Sequence, residues 1–431
     1  MNALLMNPVE RDSDPVRLQW RTWKADACDS PELPFLKAQT AHLNERMVAV
    51  LGLGAVGGRC LLMLARLGVG TLLGVDPDSY GPESWRTQPA VFGEAKCKAW
   101  ALGEEAHTIN PAIRVLCGRG FAQDVPLKLL RCADVLVVAG DNLEVVVWAG
   151  SMAAALGKPL IQGAVHGETR TALVRGYDLS DPENVCPACA LGRREWAIQA
   201  SRFGCDPQTA RARGREPTRT LPTICSTAAD LTASETLKWL EGKEQHALRG
   251  QELALCLQTY RQFRTTLPRN KQCRCPHRRW QLVDLDNDET TLTDLAKQLG
   301  FSGGFQVRAE QPWIRFAICS ACDRQTPILR FAAFGSDVGQ CSCGQQLHAA
   351  PLGSCSVIPG SDLQQCLDLP LPQLGLENGT AVGLSQADDW TYFFLPGEPW
   401  IDSSCHNHQG SKTRPGARKP EDESSSLRGD Q

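Results

Sequence analysis

Apolar residues in the first half of the chain alternate between short runs and longer stretches with helical spacing. From Met47 the sequence reads MVAVLG, GLGAVGG, RCLLMLARLG and TLLGVD, which predicts a strand, a turn, a helix and a second strand. Strands that alternate with helices predict a mostly parallel, doubly wound sheet covered on both faces, an α/β fold of the Rossmann-like type. Further helices are predicted over 96–108, 143–156 and 225–240, and further strands over 113–117, 134–139, 159–163 and 170–177.

The other segments differ in composition from this alternating region and predict the domain boundaries. Residues 1–45 are interrupted by prolines and are interpreted as an N-terminal extension, whereas 181–220 is polar and arginine-rich, as in a solvated loop. The alternating region itself is expected to span 46–245. The rest of the chain is expected to form a helical and β connector with a Cys/His knot at 246–310, a zinc ribbon at 311–350, a small β region at 351–401 and a disordered tail at 402–431.

The overall composition is that of a globular protein with ample apolar material for a core. The chain has 431 residues, too many for one ordinary domain. Its net charge of −3 and pI near 6.3 argue against a dedicated nucleic-acid binder or a polybasic membrane protein. The sequence has no apolar run long enough to cross a bilayer and no basic-then-apolar export signal at its start. We therefore expect a cytoplasmic protein without nucleic-acid or membrane partners.

The chain contains 19 cysteines, several of them in close pairs. A secreted disulfide scaffold would be short and would carry an export signal, so paired cysteines in this chain favour metal binding. Cys319 and Cys322 form C-x-x-C, and Cys341 and Cys343 form C-x-C on the far side of the strand-like run TPILRFAAF. This arrangement predicts a zinc ribbon, a structural site whose four protein ligands leave no open position for a substrate.

A glycine-rich turn follows the first predicted strand. Gly52, Gly54 and Gly57 form G-x-G-x-x-G between a strand and a helix, the context in which this motif binds a nucleotide phosphate. The glycines permit a tight turn and allow backbone N–H groups and the helix dipole to approach the phosphate. Asp76 ends the next predicted strand, where an acidic residue can bind ribose hydroxyls. The motif by itself does not separate NAD from ATP and would favour an oxidoreductase.

The residues that follow Asp76 resemble the ThiF/MoeB/ubiquitin-activating-enzyme family. The chain reads D-P-D-S-Y-G-P-E-S-W-R-T-Q where the family has D-x-D-x-V-x-x-S-N-L-x-R-Q. Four further motifs then follow in the family's order: a lysine after a glycine, an Asn-Pro pair, a strand ending in Asp-Asn and an A-x-E-x-x-K helix. The resemblance covers about 46–245. The matching positions are Asp76, Asp78, Gln88, Lys96, Asn110, Pro111, Asp141, Asn142, Ala233, Glu235 and Lys238.

This resemblance implies a ThiF-type adenylation fold that binds ATP and Mg²⁺. Adenylation of a carboxylate needs the charge of the α-phosphate neutralised and a metal ion held on the phosphates. The family pattern implies that Lys96 supplies the positive charge, that Asp141 contacts the metal and that Asp76 binds the ribose. The remaining nucleotide-binding positions implied by the pattern are Gly52, Gly54, Gly57, Asp78, Gln88 and Asn142.

Several positions depart from the family pattern. The family's asparagine and arginine of the D-x-D run are replaced by Ser84 and Thr87, and Arg86 stands one place early, so that it can serve only if the loop shifts by one residue. Val146 occupies a position where relatives often have arginine, and the arginine that the family carries ahead of the first strand has no clear match. A weakened or inactive enzyme therefore stays open as an alternative.

The resemblance also implies a first zinc site. Relatives pair a C-x-x-C with a second cysteine pair beyond the carboxy-terminal helix, and Cys186 and Cys189 form such a pair in C-P-A-C. The CRCPH knot offers Cys273, Cys275 and His277, one ligand more than a tetrahedral site needs. We expect Cys186, Cys189 and Cys273 to bind zinc together with either Cys275 or His277. With the zinc ribbon, this gives two structural Zn²⁺ ions.

In ubiquitin-activating enzymes a cysteine of the crossover loop accepts the activated product as a thioester. The corresponding loop here spans about 178–222, and the family position falls near Glu216, which is not a thiol. The candidates are Cys205, where Arg202 could stabilise a thiolate, and Cys225, at the start of a predicted helix. We favour Cys205, although each is equally consistent with an ordinary cysteine.

Together these motifs predict ATP-dependent adenylation of the C-terminal carboxylate of a ubiquitin-like modifier, followed by thioester formation on the enzyme. The implied partners are the modifier, a conjugating enzyme and a second copy of the chain in a homodimer. The elaborated second half, with LGLENGTAV at 374–382, resembles bacterial ubiquitin-activating-like proteins more than the shorter sulfur-transfer enzymes. Three alternatives stay open: a sulfur-carrier adenylyltransferase of the thiamin or molybdopterin type, a degenerate nucleotide-binding scaffold, and an NAD-dependent oxidoreductase.

Overall fold

A computed structural model of the chain describes residues 18–25, 41–89, 96–140, 142–192, 196, 220–287, 289–301, 304–350, 354–387 and 389–397, and every structural statement below refers to these residues. The segment 402–431, expected to be a disordered tail, lies outside them. Most of the arginine-rich loop predicted at 181–220 also lies outside them.

A nine-stranded sheet forms the centre of the region that ends at residue 266, which is called the first half of the chain below. Its strands are β1 (Gln19–Trp23), β2 (Met47–Leu51), β3 (Thr71–Asp76), β4 (Arg114–Arg119), β5 (Val135–Val138), β6 (Pro159–His166), β7 (Thr171–Asp178), β8 (Gln251–Cys256) and β9 (Gln262–Thr266). They lie side by side in the order β1-β4-β3-β2-β5-β6-β7-β8-β9. The five strands from β4 to β6 are parallel, and the strands at either edge pair antiparallel. The carboxyl ends of β2, β3 and β5 therefore meet at one edge of the sheet.

Helices cover both faces of this sheet, which confirms the predicted doubly wound α/β fold. The α-helices are α1 (Gly57–Arg66), α2 (Lys98–Ile109), α3 (Leu127–Cys132), α4 (Leu143–Leu156), α5 (Pro222–Leu240) and, in the second half, α6 (Leu292–Gln298). Val48 and Val50 of β2 belong to the apolar cluster formed with α1, α2 and α5, whereas Ala49 and Leu51 belong to the cluster formed with α3 and α4. Alternate side chains of a strand point to opposite faces, so β2 must be apolar throughout.

Two elements of the first half do not follow from the sequence patterns. β1 lies in the segment expected to be an N-terminal extension and pairs antiparallel with β4, burying Trp20 almost completely. The short helix α3 precedes β5. Short 3-10 turns also lie at Ala41–Glu45, Pro82–Ser84, Ala122–Asp124, Pro187–Ala190, Glu244–His246, Gly360–Leu363 and Leu371–Leu374. None of the described helices combines the length and the apolarity needed to cross a bilayer.

The second half of the chain consists mainly of small sheets around α6. The strands are β10 (Gln281–Asp284), β11 (Gln306–Ala309), β12 (Trp313–Ile318), β13 (Gln325–Phe331), β14 (Asp337–Gln340), β15 (Gln346–His348), β16 (Ser354–Cys355), β17 (Ile358–Pro359), β18 (Ala381–Gln386) and β19 (Asp389–Phe394). They form a five-stranded sheet in the order β10-β19-β18-β11-β17, the triplet β13-β12-β16 and the hairpin β14-β15. Leu292 and Leu295 of α6 pack in one apolar core with Phe393 of β19.

The second half packs directly on α3 and α4. Arg131 of α3 binds both carboxylate oxygens of Asp284, at 2.6 and 2.7 Å, and its guanidinium lies 4.5 Å from the ring centre of Phe394. The backbone N–H of Leu127 donates to Glu310 at 3.0 Å. Apolar side chains of β18 and β19 complete the cluster beneath α4. This contact joins the small sheets to the face of the central sheet opposite α1.

Candidate nucleotide site and candidate zinc sites

The predicted glycine motif forms a tight turn between β2 and α1. Gly52 has φ = 91°, a left-handed conformation that favours glycine, and its N–H donates to the carbonyl of Val75 at 2.9 Å. A Cβ at Gly57 would lie 1.9 Å from the carbonyl oxygen of Gly52, so a side chain there would break the turn. A Cβ at Gly54 would instead meet no atom within 4 Å. The turn therefore leaves open space above Gly54, where a phosphate could approach the backbone.

Asp76 is held rigidly at the end of β3, next to the glycine turn. One carboxylate oxygen accepts from the N–H of Leu53 at 2.7 Å, and the other accepts from the N–H of Asp78 at 2.9 Å. The residue is only 6 % exposed. Burial raises the pKa of Asp76 to about 6, against the opposing effects of Lys98 and of the two backbone hydrogen bonds, while Asp78 adds to the rise. Each oxygen keeps a lone pair with which it can accept a ribose hydroxyl.

Two lysines lie close together in the sequence, and the structure separates their environments. Lys96, chosen from the sequence pattern, is exposed and its Nζ lies 3.1 Å from Glu104. Lys98 is the first residue of α2, its side chain is 9 % exposed, and its Nζ lies 3.1 Å from Asp78. The lysine beside the Asp76 carboxylate is therefore Lys98, which the sequence analysis missed.

A periodic signal could have identified Lys98. It precedes Leu102 and Ala106 at intervals of four residues, so it shares their buried helix face. Lys96 precedes the helix and lies outside this pattern. The family's spacing from the preceding glycine selects Lys96 instead.

The D-x-D run continues into a turn that surrounds Ser84. The N–H of Gln88 donates to the carbonyl of Ser84 at 2.9 Å, and Gln88 Oε1 is buried without a partner among the described residues. Arg86 is exposed. The carbonyl of Thr87 instead accepts from the guanidinium of Arg59, a residue of α1 that the sequence analysis did not single out. Arg86 therefore lies at the surface, and the cation that is hydrogen-bonded to Thr87 comes from another element.

The remaining predicted nucleotide-site residues lie near the carboxyl end of β5. Asn142 caps α4 by accepting the N–H of Glu144 at 3.0 Å. The backbone of Gly140 lies close to Gly52, because a Cβ on Gly52 would meet the Gly140 nitrogen at 3.0 Å. Asp141, between these two residues, lies outside the described residues. Of its two neighbours, Gly140 lies against the glycine turn and Asn142 caps α4.

The two candidate nucleophiles differ in what the structure shows of them. Cys205 lies outside the described residues. Cys225, in the first turns of α5, is fully buried, and its Sγ lies 3.1 Å from the hydroxyl of Thr220. A thiol in this position must become exposed before it can react with a protein substrate.

Three other motif residues stabilise the fold. Asn110 donates to the carbonyl of Ala65 at 3.0 Å and accepts the N–H of Ala112 at 3.1 Å, so it fixes the turn between α2 and β4. Glu235 accepts the N–H of Leu248 at 2.9 Å and pairs with Lys238 on α5. These contacts tie α5 to the segment that leads into β8.

The first cysteine cluster brings together distant parts of the chain. Cys186, Cys189, Cys273 and His277 each offer one ligand atom, and all four atoms lie within 4.8 Å of one another. Sγ of Cys186 lies 3.9 Å from that of Cys189 and 3.7 Å from that of Cys273. Tetrahedral zinc with Zn–S bonds of about 2.3 Å needs sulfur atoms about 3.8 Å apart, so the cluster fits zinc. Of the two alternatives for the fourth ligand, His277 belongs to this group of four and Cys275 does not. Cys275 lies beside the cluster, with its Sγ 3.6 Å from Ser151 Oγ.

The second cluster joins two turns of the ribbon. Cys319, Cys322, Cys341 and Cys343 also place their sulfur atoms within 4.8 Å of one another, with Cys319 to Cys343 at 3.5 Å and Cys322 to Cys341 at 3.6 Å. In the first turn, the N–H of Asp323 donates to the carbonyl of Cys319 at 2.9 Å. In the second, the N–H of Gly344 donates to the carbonyl of Cys341 at 2.8 Å. Four sulfur ligands with this spacing could hold a structural zinc ion.

Comparison with curated proteins gives partial matches. The probable adenylyltransferase/sulfurtransferase MoeZ of Mycobacterium tuberculosis is 28% identical over 169 residues, which cover 35% of this chain and 43% of MoeZ. The adenylyltransferase and sulfurtransferase MOCS3-2 of Zea mays is 32% identical over 130 residues, which cover 29% of this chain and 27% of that protein. The chain thus spans less than half the length of these relatives.

Among solved structures, E. coli MccB with ATP matches 56% of this chain and 69% of MccB, at 19% identity and a TM-score of 0.44. Residues 32–277 match the ThiF family. This match covers more than half of the chain and includes the glycine turn, Asp76, Lys98 and the first cysteine cluster. The chain therefore belongs to the ThiF family.

Proposed function

We propose that this protein is an ATP-dependent adenylyltransferase that activates the C-terminal carboxylate of a small protein. The observation that carries the proposal is the meeting of three features at one sheet edge in a ThiF-family chain. These are the open glycine turn at Gly54, the buried carboxylate of Asp76, and the buried ammonium of Lys98. An NAD-dependent oxidoreductase would need no buried lysine beside the ribose-binding acid.

Each of these groups has a role in the proposed reaction. The backbone of the glycine turn and the N-terminus of α1 bind phosphate oxygens, and Asp76 accepts hydrogen bonds from the ribose hydroxyls. Lys98 neutralises the charge that develops on the α-phosphate as the carboxylate attacks it. The new bond joins a carboxylate oxygen to the α-phosphorus, the bond to the β-phosphate oxygen breaks, and pyrophosphate leaves with that electron pair. The products are an acyl-adenylate and pyrophosphate.

We propose Asp141 as the contact for Mg²⁺, because the family pattern places its Asp-Asn pair here and the preceding residue, Gly140, lies against the glycine turn. A magnesium ion on the triphosphate would neutralise charge on the leaving pyrophosphate. Asp78 offers a second carboxylate at the same edge and is largely exposed. Gln88, with a buried oxygen that has no described partner, is a further group that can face the nucleotide.

A thiol of the enzyme then takes the acyl group in the proposed second step. The sulfur of Cys205 or Cys225 attacks the acyl carbon, AMP leaves, and the thiol proton is released to solvent. Cys225 is buried, so this step requires the first turns of α5 to open. Replacing each cysteine by serine and resolving the product on reducing and non-reducing gels distinguishes the two.

We propose a ubiquitin-like modifier as the protein substrate. The support is the resemblance of the sequence motifs and the large second half, with its own candidate zinc cluster, which continues beyond the family match that ends at residue 277. The second candidate is a sulfur-carrier protein. It is favoured by the names of the curated relatives, which include the sulfur carrier protein adenylyltransferase of Thermus thermophilus. Both substrates would present a C-terminal carboxylate to the same site.

The partners and the compartment follow from the same proposal. A conjugating enzyme would accept the activated modifier, and two copies of the chain would form a homodimer. The cysteine clusters need reduced thiols to bind zinc, which supports a cytoplasmic location.

ATP–pyrophosphate exchange tests the adenylation directly. The purified full chain is mixed with candidate ubiquitin-like proteins and sulfur carriers that end in glycine. The matched controls are the same proteins with an amidated C-terminus, which keeps the fold and removes the carboxylate. We expect exchange with one free carboxylate and none with its amide. ATP binding without exchange for any candidate would support the degenerate scaffold, and absence of ATP binding would contradict the proposal.

A further inference from the structure

Arg59 lies in the first turn of α1, directly after the glycine turn. Its Nη1 donates to the carbonyl of Ala55, within the turn itself, at 2.7 Å, and to the carbonyl of Thr87. Thr87 occupies the position where the D-x-D pattern has an arginine. The guanidinium of Arg59 therefore reaches the backbone at this position from a different element.

Among the residues that the structure describes, Arg59 has no close counter-ion. No described carboxylate lies within the 4.0 Å of an ion pair, and both of its acceptors are neutral carbonyls. Burial lowers the pKa of Arg59, while Cys225, Asp230 and Tyr80 oppose this shift through charge alone, without a hydrogen bond. A half-buried cation without a described counter-ion can bind an anion at low cost in desolvation.

The other donors of Arg59 are also free to bind a ligand. A guanidinium has five N–H groups, and among the described residues only those on Nη1 have an acceptor. Tyr80, 3 % exposed and electrostatically coupled to both Asp76 and Arg59, has a hydroxyl without a described partner. The remaining N–H groups of Arg59 and the hydroxyl of Tyr80 thus have no described partner, and an anion with several oxygens would supply acceptors.

We propose that Arg59 binds the triphosphate of ATP and supplies the positive charge that Thr87 lacks. This inference rests on the proposed function and adds a residue of this chain to its site. A guanidinium fits a phosphate group because it can donate two parallel hydrogen bonds to its oxygens. The bond to Ala55 fixes it at the rim of the turn into which the phosphate enters.

Calorimetric titration with ATP and with adenosine tests the inference on the full chain. Arg59→Gln should weaken ATP binding about ten- to a hundredfold, the loss expected for hydrogen bonds to a charged group, and leave adenosine binding unchanged. Arg59→Lys should weaken ATP binding less, because it keeps the charge. The matched control is Arg66→Gln. Arg66 lies on the same helix, and its Nη1 donates to the carbonyl of Leu62 at 3.2 Å, away from the glycine turn. That variant should bind ATP like the wild type.

The outcomes separate this inference from the proposed function. A wild type that binds no ATP contradicts the function itself. A wild type that binds ATP, with Arg59→Gln unchanged, overturns only the role of Arg59. If Arg59→Gln weakened the binding of ATP and of adenosine equally, Arg59 would only stabilise the turn, and the inference would be wrong. Melting temperature and zinc content of each variant confirm that it has folded.

Discussion

The ammonium group of Lys98 lies 3.1 Å from a carboxylate oxygen of Asp78, and Lys98 is buried whereas Asp78 is mostly exposed. This geometry places a positive charge next to the carboxylate of Asp76, which itself lies beside the glycine turn. A buried cation with an exposed partner can change partners at little cost, because the released carboxylate returns to water. Lys98 is thus placed to exchange Asp78 for a phosphate when a nucleotide binds.

Replacement of Lys98 is expected to slow turnover strongly. Lys98→Met should lower the rate of ATP–pyrophosphate exchange by about 10²–10³, the effect of removing one preorganised electrostatic group. Lys96→Met is the matched control, because Lys96 is exposed and pairs only with Glu104. It should change the rate less than threefold. A larger loss with Lys96→Met than with Lys98→Met would reverse the assignment of the two lysines.

Two alanine substitutions in the glycine turn should act differently. Gly57→Ala places a Cβ 1.9 Å from the carbonyl of Gly52 and is expected to lower the melting temperature. Gly54→Ala meets no protein atom within 4 Å, so the fold should be retained, but the added methyl group occupies the space for the phosphate. ATP affinity should therefore fall at least tenfold in Gly54→Ala at an unchanged melting temperature. Normal ATP affinity in this variant would place the phosphate elsewhere.

Nucleotide affinity should depend on the ionisation of Asp76. Burial raises its pKa to about 6, and only the carboxylate form accepts two ribose hydroxyls. ATP affinity should therefore rise as the pH increases through that value and level off above it. The sign for stability is opposite: the folded state binds the proton more tightly than the unfolded state, so the contribution of Asp76 to the free energy of unfolding falls as the pH rises from the usual carboxyl range to about 6.

Fluorescence or calorimetric titration with ATP across this pH range measures the effect. Asp76→Asn cannot ionise and should bind ATP weakly and without the step. A wild-type affinity that stays flat through the same range would exclude ionised Asp76 as the ribose acceptor.

The first cysteine cluster should bind one zinc ion through His277. His277→Ala is expected to lower the metal content, measured by elemental mass spectrometry, from two zinc ions per chain to one. Cys275→Ala is the control from the same Cys/His knot and should keep both ions, because Cys275 lies outside the group of four ligands. Loss of zinc in Cys275→Ala with retention in His277→Ala would show that the thiol is the fourth ligand.

The second cluster should stabilise only the ribbon. Structural zinc contributes on the order of 10 kcal/mol to the folding of a small domain. Cys341→Ser should therefore remove one zinc ion and make β12–β15 sensitive to proteolysis. ATP binding should be unchanged, because the ribbon core is separate from both clusters that line the central sheet. Loss of ATP binding in Cys341→Ser would couple the ribbon to the nucleotide site.

Local patterns in the sequence predicted much of the central fold. β2 is apolar throughout, and β3 is apolar between Thr71 and Asp76, because both faces of each strand are buried. The glycine turn between β2 and α1 has a recognisable sequence motif of its own. β1 was missed because Gln19–Trp23 is a short edge strand among residues with no clear alternation, and its pairing with β4 depends on tertiary packing. The cysteine cluster of the ribbon could also be predicted from the sequence, because the spacing of its cysteines reflects the geometry of two turns.

The site was harder to predict because it depends on contacts between elements. Lys96 and Lys98 differ by two residues, and only the start of α2 decides which is buried. Arg59 reaches Thr87 across the gap between α1 and the turn after β3, which no local pattern encodes. The choice of His277 over Cys275 likewise depends on how the knot folds against Cys186 and Cys189.

The central claim, attack of a carboxylate on the α-phosphate, is tested most directly by an isotope label. A modifier that supports exchange is prepared with heavy oxygen in its C-terminal carboxylate and incubated with the enzyme, ATP and an added thiol. Because the acyl–oxygen bond breaks when the thiol attacks, the account predicts that the released AMP carries one heavy oxygen and that pyrophosphate carries none. Heavy oxygen in pyrophosphate or free phosphate, or AMP without label, would contradict it.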